Sequence, residues 1–553
     1  MKLKTALITF IIFFSSSLAY AEQAKIDEQA LSPLASAIEK DLKKSHLSGI
    51  SLKSSAQMNA FYKTRNYEPA WSNGKNLNAN AKEFLSMIEH SYLDGLPPSL
   101  YHLPELEKLF KISNEPGHDD ITSIFAHLDI LMTEAFFLMA ANFSNGITYP
   151  FRTGFDLYKP GKELDLPVLL ENALSSKNGI AQMLGKLKPS LSMYGYLRDE
   201  LARYRTIAQK GGWPLVGNIE GKEKKIEPGQ TNSIIPFIRK RLMATDKLKQ
   251  VGEEKELIYD EDLVEAVKSY QSTYGLNADG VIGQLTLDAL NTSVEERICQ
   301  MSISLDRIRA LSDVLGGNKY IMANIPAFEL NVVENGKSAL NMRVIVGTYR
   351  DKSPLLNELM QYVIFSPKWH VPESIAIKEE LGKLQADPHT FRRRGMRVYR
   401  RNEGRKEEIE IGSIDWGTID KSSFEYSFVQ DSGGGNALGG IKFLFPNKES
   451  VYMHDTPTKP LFQRDTRAFS HGCIRIEKPV AMAEYLLKDE TEWTTEKIVA
   501  ASKLGRERTV TLKEKIPVHI IYLTAWADES GKAQFRRDVY HYDKALQKIF
   551  CKK

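Results

Sequence analysis

A chain of 553 residues has room for several domains, and its 42% hydrophobic and 26% charged content is that of ordinary globular protein. Seventy-four basic residues against 70 acidic ones leave a net charge of +4, too small a surplus to point to a nucleic-acid or general membrane partner. Composition excludes a disordered, collagenous or disulfide-dense chain and leaves the function to be read from motifs.

The first 21 residues have the order of an export signal. Lys2 and Lys4 precede an apolar run from Ala6 to Phe14, then Ser15 to Ser17 and the small-residue site Ala19-Tyr20-Ala21. The apolar run falls well short of the roughly 20 residues a spanning helix needs, so cleavage is expected rather than anchoring. No later stretch reads as long and apolar enough to span, and a soluble periplasmic chain is expected. Three cysteines allow at most one disulfide; Cys299 with Cys551 is a conceivable pair, which would leave Cys473 as the thiol.

Residues 22–220 read as a helical scaffold. Leu31 to Leu42, Ala81 to Ser91, Ile121 to Ala141 and Ile180 to Gln209 carry apolar positions at helical spacing. The aromatic-dense segment Phe61 to Trp71 is a core or a binding surface, with core favoured. Residues 217–230 are polar, marked by Gly and Pro, and read as a linker.

A compact helical module is expected over 231–295. Leu263, Ala266, Val267 and Tyr270 fall on one helix face, Asp279-Gly280 marks a turn, and Thr286 precedes a short second helix. The string from Leu263 to Leu290 resembles the small three-helix peptidoglycan-binding module. After a helix through Arg307 and Arg309 the period changes to that of strands, at Tyr320 to Ile325, Phe328 to Val333, Met342 to Val346 and Tyr362 to Phe365. A mainly β domain therefore spans 318–490, with residues 491–553 a C-terminal segment that completes this domain or the scaffold region. Residues 372–412 read as a helical, charged insertion around Phe391 to Arg401, either a mobile lid guiding an anionic substrate or a solvated surface.

The chemistry concentrates between His454 and Arg475. A thiol, Cys473, stands between Gly472 and Ile474, with His471 and His454 close by. A nearby imidazole is expected to take the thiol proton and stabilise the thiolate as an ion pair. Gly472 frees the backbone so that N–H groups there can hold an oxyanion, and Arg475 can anchor a carboxylate. A metal site built from His454, His471 and Cys473 lacks a clear fourth ligand.

Ser470-His471-Gly472-Cys473-Ile474-Arg475 with His454 upstream resembles the signature of the L,D-transpeptidase (YkuD-type) catalytic domain. The stretches N-I-P-A-F-E-L-N-V-V-E-N-G, M-R-V-I-V-G, S-P-K-W-H-V-P and N-A-L-G-G-I-K-F are similar to the same family. With the module and scaffold, the chain resembles the large scaffolded subgroup of Gram-negative periplasms, and the fold class expected is multidomain α+β. The resemblance implies 3→3 crosslinking of peptidoglycan tetrapeptide stems through a Cys473 thioester, without metal or organic cofactor. It implies His454 as general base, the Asp455 carbonyl as its orienter, Gly472 as oxyanion backbone, and His471, Arg475, Tyr452, Trp369 and Ser470 as substrate contacts. Sensitivity of Cys473 to carbapenems follows, as do a D,D-carboxypeptidase that trims stems and glycan polymerases as partners. Two departures stand out: Asp455 occupies a position often glycine, where its carboxylate could raise the base's pKa, and Gln430 to Gly435 lacks prolines and reads as a mobile loop. Hydrolysis of the same acyl-enzyme and a non-catalytic wall-binding scaffold stay open as alternatives.

Overall fold

The computed structural model describes residues 31–551 except 45, 48, 116–119, 148–162, 220–223, 246, 249–256 and 403–404. The export-signal reading of residues 1–21 lies outside them. The chain forms a helical N-terminal region, a helical module and a large, mostly β domain.

The N-terminal region is built around one long helix. Helix α1 (Pro33–Leu42), capped by the Ser32 side chain, packs on α2 (Ile121–Asn145). Contrary to the sequence reading, α2 is long and apolar enough to cross a membrane by length and hydropathy; it is instead mostly buried inside the protein. Its polar residues explain why: Asp129 accepts the backbone N–H groups of Ala70 (2.8 Å) and Trp71 (2.9 Å), and Glu134 those of Lys53 (2.7 Å) and Ser54 (3.1 Å). Carboxylates that satisfy buried loop amides belong in a protein core. Phe61, Tyr62 and Trp71 are buried in that same core, so the aromatic-dense segment is packing and not a binding surface.

Helix α3 (Ser192–Gln209) leads to the module of α4 (Ile235–Met243), α5 (Glu261–Thr273) and α6 (Gln284–Leu290). The expected linker is partly structural, because Ile226 is fully buried and bridges Ile282. A capping box of Ser293 and Glu296 then starts α7 (Val294–Leu315). This helix sends Cys299 and Ile303 into the N-terminal core, and Met301, Leu305 and Ile308 into the core shared with the module.

Nine strands make the catalytic sheet: β1 (Lys319–Asn324), β2 (Glu329–Glu334), β3 (Lys337–Gly347), β4 (Leu356–Phe365), β5 (Ile441–Leu444), β6 (Met453–His454), β7 (Ala468–Ser470), β8 (Ile474–Ile476) and β9 (Arg508–Ile521). Their order is β7-β3-β8-β6-β5-β4-β9-β1-β2, and a further pairing of β2 with β3 closes the sheet on itself. Ile321, Val332, Val344, Val363, Ile474 and Val518 fill the interior. After β9 a hairpin (Ala525–Ala527 with Ala533–Phe535) returns to the module core, and α8 (Tyr542–Phe550) docks into the N-terminal core. Cys299 and Cys551 are joined in a disulfide, and Cys473 is the free cysteine.

The insertion between β4 and β5 is larger and less helical than the sequence predicts. Its helices run from Glu373 to Arg393, but Met396–Asn402 and Arg405–Ile409 are strands of a four-stranded sheet with Tyr426–Gln430 and Trp369–His370. It has its own core around Leu384, Phe391, Val398, Trp416 and Phe428. Its arginines are matched by acids: Arg392 with Glu410, Arg394 with Glu380, Arg397 with Glu408 and Asp431, Arg400 with Glu425. The basic run is therefore largely neutralised in place, against the expectation of an electrostatic guide.

Candidate active site

Three short strands place the candidate residues side by side. Strands β6 and β8 run parallel, with Met453 opposite Ile474 and His454 opposite Arg475, while β5 sets Lys442 opposite His454 from the other side. Met453, Ile474 and Ile476 point into the barrel core, so alternation turns His454, Arg475 and Lys442 to the opposite face. Cys473 sits at the entry to β8, beside Tyr452.

The loop carrying Cys473 is held by hydrogen bonds from inside. Gly472 has a φ of 107°, which favours glycine, and its carbonyl accepts from Ser353 Oγ at 2.7 Å. Ser353 Oγ also accepts the Gly347 N–H at 2.9 Å, and Tyr540 donates to the Gly347 carbonyl at 2.7 Å. Ser470, expected at the substrate, is buried instead, its hydroxyl donating to the Cys473 carbonyl at 2.5 Å and accepting the Gly472 N–H at 3.2 Å. That contact engages the Gly472 N–H expected to hold an oxyanion. The Cys473 N–H has no such partner among the described residues.

His454 is 5% exposed, and its Nδ1 lies 2.5 Å from the Asp455 carbonyl oxygen. A carbonyl only accepts, so Nδ1 carries the proton and Nε2 is left as the basic nitrogen. The Asp455 carboxylate is turned away from the ring: it accepts from Gly440 N (2.9 Å), Thr456 N (2.7 Å) and Lys459 Nζ (2.5 Å). Burial, and then the Arg475 guanidinium, push the imidazole down to about 3 despite Asp455. The feared rise in its pKa does not occur.

Burial also pushes the Cys473 thiol up, opposed by the Tyr452 N–H, the Lys442 ammonium, the Tyr452 phenol and Arg475. Burial thus disfavours the charged form of each group, against the ion pair expected from the sequence.

Lys442 was not singled out by the sequence motifs. It lies with Nζ 3.8 Å from the Tyr452 ring centroid, and burial lowers its pKa. The usable signal was the register: in Ile441-Lys442-Phe443 the two apolar residues enter the core and the lysine must face the site. Ser353 and Tyr540 lie too far along the chain to be found that way.

The other predicted contacts are distributed differently. His471 is half-exposed and its Nε2 contacts the Glu379 carboxylate of the insertion. Trp369 pairs with Gln430 in the insertion sheet and packs against its core. The run after Gln430 is tied down, with Gln430 Nε2 donating to Arg394 and Gly435 carbonyls at 3.0 Å each and Asn436 Nδ2 to the Asp431 carbonyl at 2.9 Å. The mobile loop expected there is anchored at both ends.

Comparison with known proteins fits this layout. Residues 318–511 match the family described as L,D-transpeptidase catalytic domain, residues 238–290 the "Putative peptidoglycan binding domain", and residues 56–201 the scaffold domain. A curated protein of Haemophilus influenzae named "Putative L,D-transpeptidase" is 34% identical over 258 residues. That match covers 46% of this chain and 50% of the relative, so the chain spans about half of that protein's length. Solved structures of L,D-transpeptidases from Stackebrandtia nassauensis (13% identity, 55% of this chain, 97% of that one, TM-score 0.21) and Mycobacterium smegmatis (13%, 37% and 58%, TM-score 0.19) are also similar, at scores that carry no weight here.

Proposed function

We propose that this chain, which carries an L,D-transpeptidase catalytic domain beside a peptidoglycan-binding domain and a scaffold domain, forms 3→3 diaminopimelate crosslinks in peptidoglycan. The observation that supports this most is the free thiol of Cys473 lying among Tyr452, Lys442 and Arg475, with His454, its Nδ1 fixed by a carbonyl, opposite Arg475 in the sheet.

In this reading the Cys473 sulfur attacks the carbonyl carbon at the L-centre of diaminopimelate while His454 Nε2 takes the thiol proton. The carbon–sulfur bond forms, the bond to D-alanine breaks, and the imidazolium returns its proton to the departing amine. The side-chain amine of a neighbouring diaminopimelate then attacks the thioester, gives up a proton to His454, and restores the thiol. Asp455 orients the base through its carbonyl. The Cys473 N–H, in place of the engaged Gly472 N–H, faces the developing oxyanion, with Lys442 and Arg475 supplying positive charge nearby. His471 and Arg475 contact the stem; Tyr452 holds the sulfur, and Trp369 stands on the insertion that borders the site.

A cell-envelope protein in the periplasm is the setting this implies. The Cys299–Cys551 disulfide supports an oxidising compartment, as does the signal-like N-terminal sequence. A D,D-carboxypeptidase supplying tetrapeptide stems and glycan polymerases supplying strands are the partners this activity calls for.

Muropeptides incubated with the full chain and analysed by mass spectrometry test the reading. New 3→3 dimers, absent with Cys473→Ala, are expected; tripeptides without dimers would make it a hydrolase instead. A wall effect surviving Cys473→Ala would mark a scaffold. Cys473 is also expected to gain the mass of a carbapenem, and an unmodified protein after prolonged exposure would count against an activated nucleophile.

A further inference from the structure

A second cleft lies away from Cys473, where the outward face of the catalytic sheet meets helix α3 and the hairpin after β9. Its volume of about 580 Å³ is within the range of ligand sites, roughly 300–1,000 Å³. The floor follows from strand register. Met322 stands opposite Asn331, and Asn331 opposite Asn341, in one row across β1, β2 and β3. The adjacent row of Ile321, Val332 and Leu340 faces the barrel interior or packs against its core, so the amides face out.

The walls are aromatic. Tyr196 of α3 is 41% exposed and lies against Gly531 of the hairpin, and Trp526 of the hairpin lines the other side with the Arg536 guanidinium stacked on its ring at 4.6 Å. No lysine or arginine lines this cleft among the described residues, whereas Glu329, Asp528 and Glu529 do. An anionic stem peptide, a nucleic acid or an acidic lipid is thus disfavoured. Flat aromatic walls, neutral amides and carboxylates instead suit the apolar faces and hydroxyl groups of a neutral sugar.

The amide floor is more specific still. Asn331 Oδ1 accepts from Asn341 Nδ2 at 2.8 Å and from Ser338 Oγ at 3.3 Å. This leaves both N–H groups of Asn331 Nδ2, the second N–H of Asn341 Nδ2 and the acceptor Asn341 Oδ1 without a hydrogen bond among the described residues. An acetamido group offers the complementary pair, one carbonyl acceptor and one N–H donor. The cleft also adjoins the module: Arg536, stacked on Trp526, donates to the Thr273 carbonyl of α5 at 3.1 Å.

We infer that this cleft binds an N-acetylhexosamine segment of a glycan strand, and so seats the polymer whose stem peptides reach Cys473. The inference rests on the peptidoglycan reading above. The cleft opens on the same sheet face as Arg475, since Asn341, Arg343 and Ile345 alternate with the core residues Met342 and Val344, and Ile345 pairs with Arg475. The six positions along β3 from Asn341 to Gly347 span about 20 Å.

The probe is chitotetraose, titrated calorimetrically into the full chain carrying Cys473→Ala. Saturable binding is expected, weakened at least tenfold by adding Tyr196→Ala and Asn341→Ala to a chain whose melting is unchanged. Absence of binding, or equal binding in the two proteins, overturns the inference. A diazirine derivative of the same sugar gives a readout without variants: labelled peptides covering 192–196 or 526–530 support the site, and label confined to 263–290 overturns it. Because the thiol is absent throughout, the result is independent of turnover. Labelling of the cleft in the variant, with no 3→3 dimers made by the chain that keeps Cys473, would remove the crosslinking reading and keep the sugar site; dimers from that chain with no labelling of the cleft would do the reverse.

Discussion

Removing the Lys442 ammonium tests the electrostatics of the site most directly. Its Nζ is 3.8 Å from the Tyr452 ring centroid, and the Tyr452 phenol in turn bonds to the Cys473 sulfur. For an ammonium and a thiolate about 7 Å apart, an effective dielectric of about 20 gives about 2.4 kcal/mol of attraction. Water entering the space left by Lys442→Met recovers part of this, and a loss of about 1–2 kcal/mol is expected. The thiolate fraction at fixed pH then falls roughly 5- to 30-fold. Iodoacetamide reports it cleanly, because Cys299 and Cys551 are tied up in a disulfide and Cys473 is the thiol that titrates. Alkylation rates at pH 6 and 7 should drop by that factor in Lys442→Met and recover most of the loss in Lys442→Arg. Equal or faster alkylation of Lys442→Met would refute the role given to the lysine.

The buried imidazole makes an acid-lability prediction. His454 titrates near 6.5 when unfolded and about 3 when folded, so the unfolded chain takes up the proton first as pH falls. Stability from the neutral ring is complete above about 6.5, and at pH 5 about 2 kcal/mol of it is gone. His519, pushed down to about 4 by burial, adds to the same slope, and melting of His454→Gln between pH 7 and 5 should fall less steeply than wild type. Gly439→Ala should cost more than about 2 kcal/mol and slow carbapenem acylation, since a left-handed alanine alone costs about 1–2 kcal/mol. There φ is 63° and a Cβ would lie 2.5 Å from the Asp455 carboxyl carbon, in the residue that orients His454. Cys551→Ser opens a link between residues 252 apart in sequence, for which chain entropy predicts about 5 kcal/mol as an upper figure. A melting temperature lowered to that of the reduced wild type, with unchanged alkylation of Cys473, is the expected result.

Local pattern was enough to assemble much of the candidate site, because Gly472, Cys473 and Arg475 fall within four consecutive positions and His454 only 19 residues before Cys473. Burial was not legible in the same way. The sequence predicts an ion pair of Cys473 and His454, yet both side chains sit deep enough that their charged forms are disfavoured. Ser353 and Tyr540 brace the Cys473 loop from about 120 residues before it and 67 after it, a distance that no spacing rule bridges. Met396 to Asn402 was misread as helix because its arginines dominate the composition. Its alternation, Met396 and Val398 inward with Arg397 and Tyr399 paired outward to Glu408, is that of a strand.

Helix α7 ties distant parts of the chain into one body. One of its faces serves the core that begins at Leu34, another the core of the module, and Arg307 reaches Asp543 of α8 at 2.5 Å while Cys299 is bonded to Cys551. Residues 542–551, which follow the nine-stranded sheet in the chain, thus supply part of the N-terminal core through Leu546 and Phe550. A chain cut after β9 would keep Cys473, His454 and Arg475, yet lose Tyr540 from behind the Cys473 loop and a wall of its first domain.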